Sequence, residues 1–215
     1  MEEGGGKVTC LERRTMMPKV DGIILAAGYS RRMGRDKLLL PFGEDLVVER
    51  VVKTALKSRL SKVILVYRNS KVAEIGEKYN VETIRNPRAR LGQSESVKRG
   101  LKKATGDGYL FIAGDQPLLS CSLVNGLTHA FATSGKGIII PTLDGEVHMP
   151  ILFSSKYRED LQRVHGEKGG FEIISGNKED IYWYNVEDQM DVCDIDTENQ
   201  YRELMIRKDR IDNGV

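Results

Sequence analysis

Histidine and cysteine are scarce in this chain, three of each among 215 residues, and tryptophan occurs once. His129, His148 and His165 show no metal-ligand spacing, and Cys10, Cys121 and Cys193 are scattered without a Cys-x-x-Cys pair. That argues against a zinc site and a disulfide framework, and it fits a reducing compartment. No apolar run approaches the roughly 18 residues that cross a bilayer, and the N-terminus lacks the apolar centre of a signal peptide. An excess of one charge is missing too, with 33 Lys plus Arg against 31 Asp plus Glu. So even a balance argues against nucleic acid or an anionic membrane as partner, and for charge used locally on small molecules. A soluble, cytoplasmic protein is expected.

What the chain does have is one concentrated signal. Gly22-Ile23-Ile24-Leu25 is a β-branched apolar run, the mark of a strand buried on both faces. Ala26, Ala27 and Gly28 follow, so the backbone can turn sharply and approach a ligand closely. Arg31, Arg32, Arg35 and Lys37 come next. Backbone N–H groups beside a cluster of cations are what a polyphosphate needs. Two familiar phosphate loops do not fit: Met33 stands where a Walker loop needs its second glycine, and Ser30 stands where the dinucleotide fingerprint needs one.

The remaining chain alternates strands with helices. Strands are predicted at 19–25, 63–67, 81–84, 109–113 and 137–141, with an edge strand at 181–186. Helices are predicted at 46–56, 72–79, from 94 to about 103, 123–132, 155–164 and after 196. This order gives an α/β fold with a doubly wound, mostly parallel sheet. Residues 1–18 are polar and aperiodic and read as a flexible tail, leaving 19–215 as one domain. Gly92 and Ser94 open a helix, where Ser94 reads as an N-cap or, with Ser96, as a ligand contact. Asp115 ends a buried strand, where it is placed to hold a cation over a polyphosphate or to cap the helix near Ser120. Asp196 or Thr197 caps the terminal helix.

The stretch from Leu25 to Lys37 resembles, at every fixed position, the Leu-Ala-Ala-Gly-x-Ser-x-Arg-Met-Gly-x-x-Lys loop of nucleotidyltransferases of glycosyltransferase-A type. Asn86-Pro87 with Gly92–Ser96, Gly114-Asp115-Gln116-Pro117, the Gly169-Gly170 turn and Asp194-Ile195-Asp196-Thr197 extend the similarity to the molybdenum cofactor cytidylyltransferase family, including molybdenum-hydroxylase accessory proteins. The resemblance implies that Leu25, Ala26, Ala27, Gly28, Lys37, Gly92, Ser94 and Ser96 bind nucleotide. It implies Mg²⁺ on Asp115 and Asp196, CTP and molybdopterin as substrates, and a molybdenum hydroxylase as recipient of the product. Ala26-Ala27-Gly28 and Asp115-Gln116-Pro117 lean to cytidine over guanosine. One departure stands out: Val147-His148-Met149-Pro150 replaces the Arg-Gly-His-Pro of many relatives, and the resemblance makes His148 and Pro150 the candidate acceptor contacts.

The reaction implied joins the terminal phosphate of molybdopterin to the α-phosphorus of CTP and releases pyrophosphate. A phosphate monoester, with its second pKa about 6, is already largely dianionic near neutral pH and needs no Ser-His-Asp apparatus. Positioning and charge neutralisation suffice, with Lys37 and Arg31 or Arg32 facing the leaving group. Guanylyl transfer, transfer to a sugar phosphate or methylerythritol phosphate, and a non-catalytic carrier of the molybdenum cofactor are the alternatives. An NAD-dependent oxidoreductase is disfavoured by the missing glycine fingerprint.

Overall fold

The computed structural model describes residues 17–30, 32–166 and 170–212. Arg31, Gly169 and all but the last two residues of the expected tail lie outside them. The elements run β1 (Val20–Ala26), β2 (Pro41–Phe42), β3 (Asp45–Leu46), α1 (Val47–Lys57), β4 (Lys62–Tyr67), α2 (Ser70–Lys78), β5 (Glu82–Arg85), α3 (Gln93–Leu101), β6 (Gly108–Ala113), α4 (Cys121–Thr133), β7 (Ile138–Leu143), β8 (Glu146–Val147), β9 (Ile151–Ser154), α5 (Arg158–Arg163), α6 (Phe171–Gly176), β10 (Ile181–Asn185) and α7 (Glu198–Asp212).

The main sheet has the order β10-β7-β9-β6-β1-β4-β5, with β8 paired to β7. β1 runs parallel to both neighbours, Ile24 lying opposite Leu65 and Ile112. β9 runs antiparallel to β6 on one side and β7 on the other, and β8 is antiparallel to β7. The sheet is therefore mixed but mostly parallel, as the alternation of elements predicts.

Side chains alternate between two cores. Ile24, Leu65, Leu110 and Ile112 face α1, α2 and α4, while Ile23, Ile64, Val66, Tyr109 and Phe111 face α3, α5 and α6. α1 forms because Val47, Val48, Val51, Val52 and Ala55 recur at helical spacing, and all five are fully buried. Each such aliphatic contributes about 1.5–3 kcal/mol by leaving water. A third cluster joins Leu40, Phe42 and Val47 to Ile195 and Leu204, tying the β2–β3 hairpin to α7 and the segment before it.

β10 takes the edge position expected of it, yet Trp183 breaks the alternation and is 53% exposed. The apolar stretch Leu38-Leu39-Leu40-Pro41-Phe42 divides between a 3-10 turn at Lys37–Leu39 and the first strand of the β2–β3 hairpin. The chain leaves β1 toward β4 and β5 and then crosses back to β6 on the other flank of β1. That reversal makes a crevice at the carboxyl ends of β1 and β6, where open α/β sheets bind ligands.

Candidate functional site

The loop after β1 is shaped by Ser30 and Gly34, whose φ angles of 49° and 64° lie in the left-handed region. Gly28, expected to make the turn, has no positive φ. A Cβ there would meet nothing within 4 Å. Its lack of a side chain leaves open space at the wall of the crevice rather than relieving a bend. The Ser30 hydroxyl oxygen accepts from the Lys37 backbone N–H at 3.1 Å, and Asp36 caps the short turn by accepting from Leu38 N. Together they fix where the Lys37 side chain leaves the backbone.

The turn after β6 approaches from the other side. Gly114 N donates to the Leu25 carbonyl at 3.2 Å. A Cβ on Gly114 would sit 3.1 Å from that oxygen and 3.2 Å from Ala26 Cβ, so only glycine brings this turn so near β1. Asp115 follows directly, and its carbonyl accepts from Ile195 N at 3.1 Å. Ile195 is fully buried in the third cluster, and Asp194 and Asp196 on either side of it both reach the crevice. Thr197 and Gln200 form the reciprocal cap of α7: Thr197 Oγ1 accepts from Gln200 N at 3.3 Å, and Gln200 Oε1 accepts from Thr197 N at 2.8 Å. Thr197 therefore takes the capping role, and Asp196 is not spent on it.

These pieces converge on one ionic cluster. Lys37 Nζ lies 2.5 Å from Asp115 Oδ2 and 2.8 Å from Asp196 Oδ1. Arg32 pairs with the other oxygen of Asp196 at 2.7 Å, and Arg35 pairs with Glu198 at 2.7 Å. Burial works against the Lys37 ammonium, but Asp115 and Asp196 outweigh it and hold its pKa above the usual lysine value. Asp196 is held below the carboxylate range by its hydrogen bond from Lys37, against partial burial, with the charges of Lys37 and Arg32 adding to the shift. Asp194 is pushed up, first by burial and then by the charges of Asp115 and Asp196. At the cavity itself the carboxylates of Asp115, Asp194 and Asp196 thus face Lys37 and Arg32 among the described cations.

Arg32, Lys37, Asp115, Asp194 and Asp196 line a cavity of about 510 Å³. Leu25, Ala27, Gly28, Gly92 and Ser96 also line it, as does Met149. Ser96 Oγ accepts from Asn86 Nδ2 at 3.0 Å, and Asn86 is wholly buried, so the 86–88 turn and the start of α3 are locked together. Four expected contacts do not reach the cavity. Ala26 is 2% exposed and packs into the α1, α2 and α4 core, where strand alternation sends it. Ser94 is 1% exposed inside the first turn of α3. The N-cap there is Gly92, which makes no side-chain cap bond, so neither reading of Ser94 matches its placement. His148 is half-buried beside β7, its N–H donating to the Pro141 carbonyl at 3.0 Å, and Pro150 is buried. Met149, between them, takes the place at the cavity wall.

Three residues escaped the sequence reading. Asp194 stood inside a quoted motif but had no role. Arg68, at the end of β4, lies 4.5 Å over the Tyr29 ring and donates to Asp36 Oδ2 at 3.4 Å, spanning both ends of the cationic loop. Nothing in its local sequence signals this. Gln116, 3% exposed, donates through Nε2 to the Met149 and Val192 carbonyls at 3.3 and 3.2 Å, linking the aspartate turn to both neighbouring segments.

Residues 22–181 match the model of the MobA-like NTP transferase domain. The chain belongs to the MobA-like NTP transferase family. Among MobA-like relatives, it is 32% identical over 197 residues to purine catabolism protein PucB of Bacillus subtilis, covering 86% of this chain and 95% of PucB. It is 29% identical over 192 residues to the molybdenum cofactor cytidylyltransferase of Escherichia coli, with the same two coverages. A probable molybdenum cofactor guanylyltransferase of Mycolicibacterium paratuberculosis is 33% identical over 145 residues, 65% of this chain and 70% of that one. In structure, an rv0371c homologue from Mycobacterium sp. strain JC1 superposes with a TM-score of 0.76 at 25% identity, over 89% of this chain and 98% of that one. Rv0371C of Mycobacterium tuberculosis in complex with manganese gives 0.73 at 22% identity, over 87% and 98%. The fold is that of the MobA-type nucleotidyltransferases, of glycosyltransferase-A type.

The donors at the cluster suit a hard divalent cation, being carboxylate oxygens. Mg²⁺ or Mn²⁺ needs only one or two of these besides substrate phosphates. Among the described residues no group of three or more His, Cys, Asp or Glu side chains is gathered closely enough to hold a metal alone. The pair Asp115 and Asp196, already bridged by a cation, is the fitting place.

Proposed function

We propose that the protein transfers CMP from CTP to the terminal phosphate of the molybdopterin cofactor, releasing pyrophosphate. The observation that carries this reading is the meeting of Lys37, from the loop after β1, with Asp115 and Asp196 in the lining of a cavity of about 510 Å³. Lys37 and Arg32 would neutralise charge on the leaving pyrophosphate, Arg31 standing beside them in sequence. Gly28 would let the phosphates approach the loop backbone. Gly92 and Ser96 at the start of α3 would meet the nucleoside, and Met149, with His148 and Pro150 behind it, would border the acceptor. Asp115 and Asp196 would hold Mg²⁺, which supplies charge neutralisation on phosphate oxygens when bound.

The phosphate of the acceptor is its own nucleophile, so the side chains have to align and neutralise rather than abstract a proton. The Escherichia coli relative supports cytidine, and the relatives named guanylyltransferases support guanosine as the second reading. Pyrophosphate release, measured with each of the four nucleoside triphosphates and Mg²⁺, with and without molybdopterin, tests both. Release that requires CTP and molybdopterin is expected. GTP-dependent release would favour the second reading, and none with any nucleotide would favour a carrier.

A further inference from the structure

We infer that Lys37 acts as the resident cation of the metal site, so that a free divalent ion is kept out and enters only with a polyphosphate. This rests on the nucleotidyl-transfer reading but makes a separate claim about order of binding. The ammonium sits 2.5 and 2.8 Å from one oxygen each of Asp115 and Asp196, so the two residues that would hold a divalent ion are already paired with a cation. Its side chain is 12% exposed and that of Asp115 19%, so water screens the contact poorly. The other Asp196 oxygen is already paired with Arg32.

A free cation arriving here would have to expel the ammonium from both aspartates and leave it beside a new positive charge, with Asp194 the one carboxylate left to face it among the described residues lining the cavity. A triphosphate changes that balance. Its oxygens accept Lys37 and Arg32, and the two aspartates are released to the metal that the phosphates bring. Metal and polyphosphate therefore strengthen each other's binding, by the about 5- to 150-fold typical of coupling between sites.

The test is titration of the full chain with Mn²⁺ alone, followed by the electron paramagnetic resonance signal of the free ion. Wild type is expected to bind weakly. Lys37→Met, which removes the charge and keeps the length, is expected to bind Mn²⁺ at least about tenfold more tightly. Adding Asp115→Asn to it should abolish the gain. The same Lys37→Met protein should bind CTP more weakly, a pairing of opposite effects that mere loss of structure does not produce. Lys37→Gln serves as second variant, with melting temperature as the folding control. Free Mn²⁺ binding equally to wild type and both variants would overturn the inference. Because that titration contains no nucleotide, failure to bind any nucleoside triphosphate would instead sink the functional reading.

Discussion

Gly28→Ala and Gly114→Ala make the same chemical change on the two loops that frame the cavity, and the structure predicts opposite outcomes. At Gly28 an added methyl meets nothing within 4 Å, and the backbone there is not left-handed. Alanine in such a place leaves the fold unchanged or stabilises it by about 0.4–1 kcal/mol through the unfolded chain. The methyl nevertheless occupies the wall that triphosphate would approach, so KM for the nucleotide should rise about tenfold or more, as about 1.4 kcal/mol of lost contact implies. At Gly114 the methyl lands 3.1 Å from the Leu25 carbonyl, 3.2 Å from Ala26 Cβ and 3.3 Å from Ala26 Cα. Those atoms belong to the central strand and cannot retreat, so overpacking should cost about 1–3 kcal/mol. For a chain of this size each kcal/mol is worth about 2–4 °C, giving a fall in Tm of about 2–12 °C. Asp115 would move with the turn, and a displacement of about 1 Å in a reacting site costs on the order of 10²-fold in rate. Thermal denaturation and initial rates of pyrophosphate release on both variants read all four quantities. A Gly28→Ala protein with unchanged nucleotide KM, or a Gly114→Ala protein with wild-type Tm, would refute the geometry argued for that loop.

Asp115→Ala should lower turnover by about 10²–10³ while the protein stays folded, as for one preorganised electrostatic group, and near-normal turnover would remove it from the mechanism. Arg68→Lys keeps the charge but loses the planar stack on Tyr29 and the fork toward Asp36. A rise in nucleotide KM of about tenfold with kcat little changed is expected if Arg68 braces the loop, and full rescue by lysine would contradict that. Burial opposes ionisation of Glu49, but hydrogen bonds from Lys78, Tyr79 and Leu46 N outweigh it and set its pKa below the usual glutamate value. A depressed folded pKa gives stability that is present above 4.5 and lost as pH falls through the folded pKa. Wild type should therefore lose more Tm than Glu49→Gln between pH 6 and 3, by the equivalent of about 1–3 kcal/mol, and parallel Tm curves would show that the carboxylate does not carry this.

The fold was legible because β1, β4 and β6 each contain a continuous apolar run and α1 repeats its valines at helical spacing. Period decides such elements locally. The convergence of Lys37 and Asp115 was legible from a cationic loop and an aspartate at the carboxyl ends of buried strands, whereas Asp196 joined the expected set only through the family resemblance. Its limits appear where a side chain's direction depends on register. Ala26 and Ser94 belong to the right segments, yet strand alternation and the inward turn of α3 bury them. Arg68 and Gln116 illustrate the other limit: one stacks across to Tyr29 and the other bridges Met149 and Val192, contacts created only when distant segments fold together. The capping ambiguity at Asp196 and Thr197 likewise needed geometry, since Gln200 settles it through two backbone N–H partners on Asp196 and Thr197.

The most direct examination is a crystal structure of the protein with CTP and Mn²⁺, located by the anomalous scattering of manganese. The account places the ion on Asp115 and Asp196, with the triphosphate within hydrogen-bonding reach of a Lys37 that has left both carboxylates. Manganese and triphosphate bound elsewhere, with Lys37 still held between the two aspartates, would contradict it.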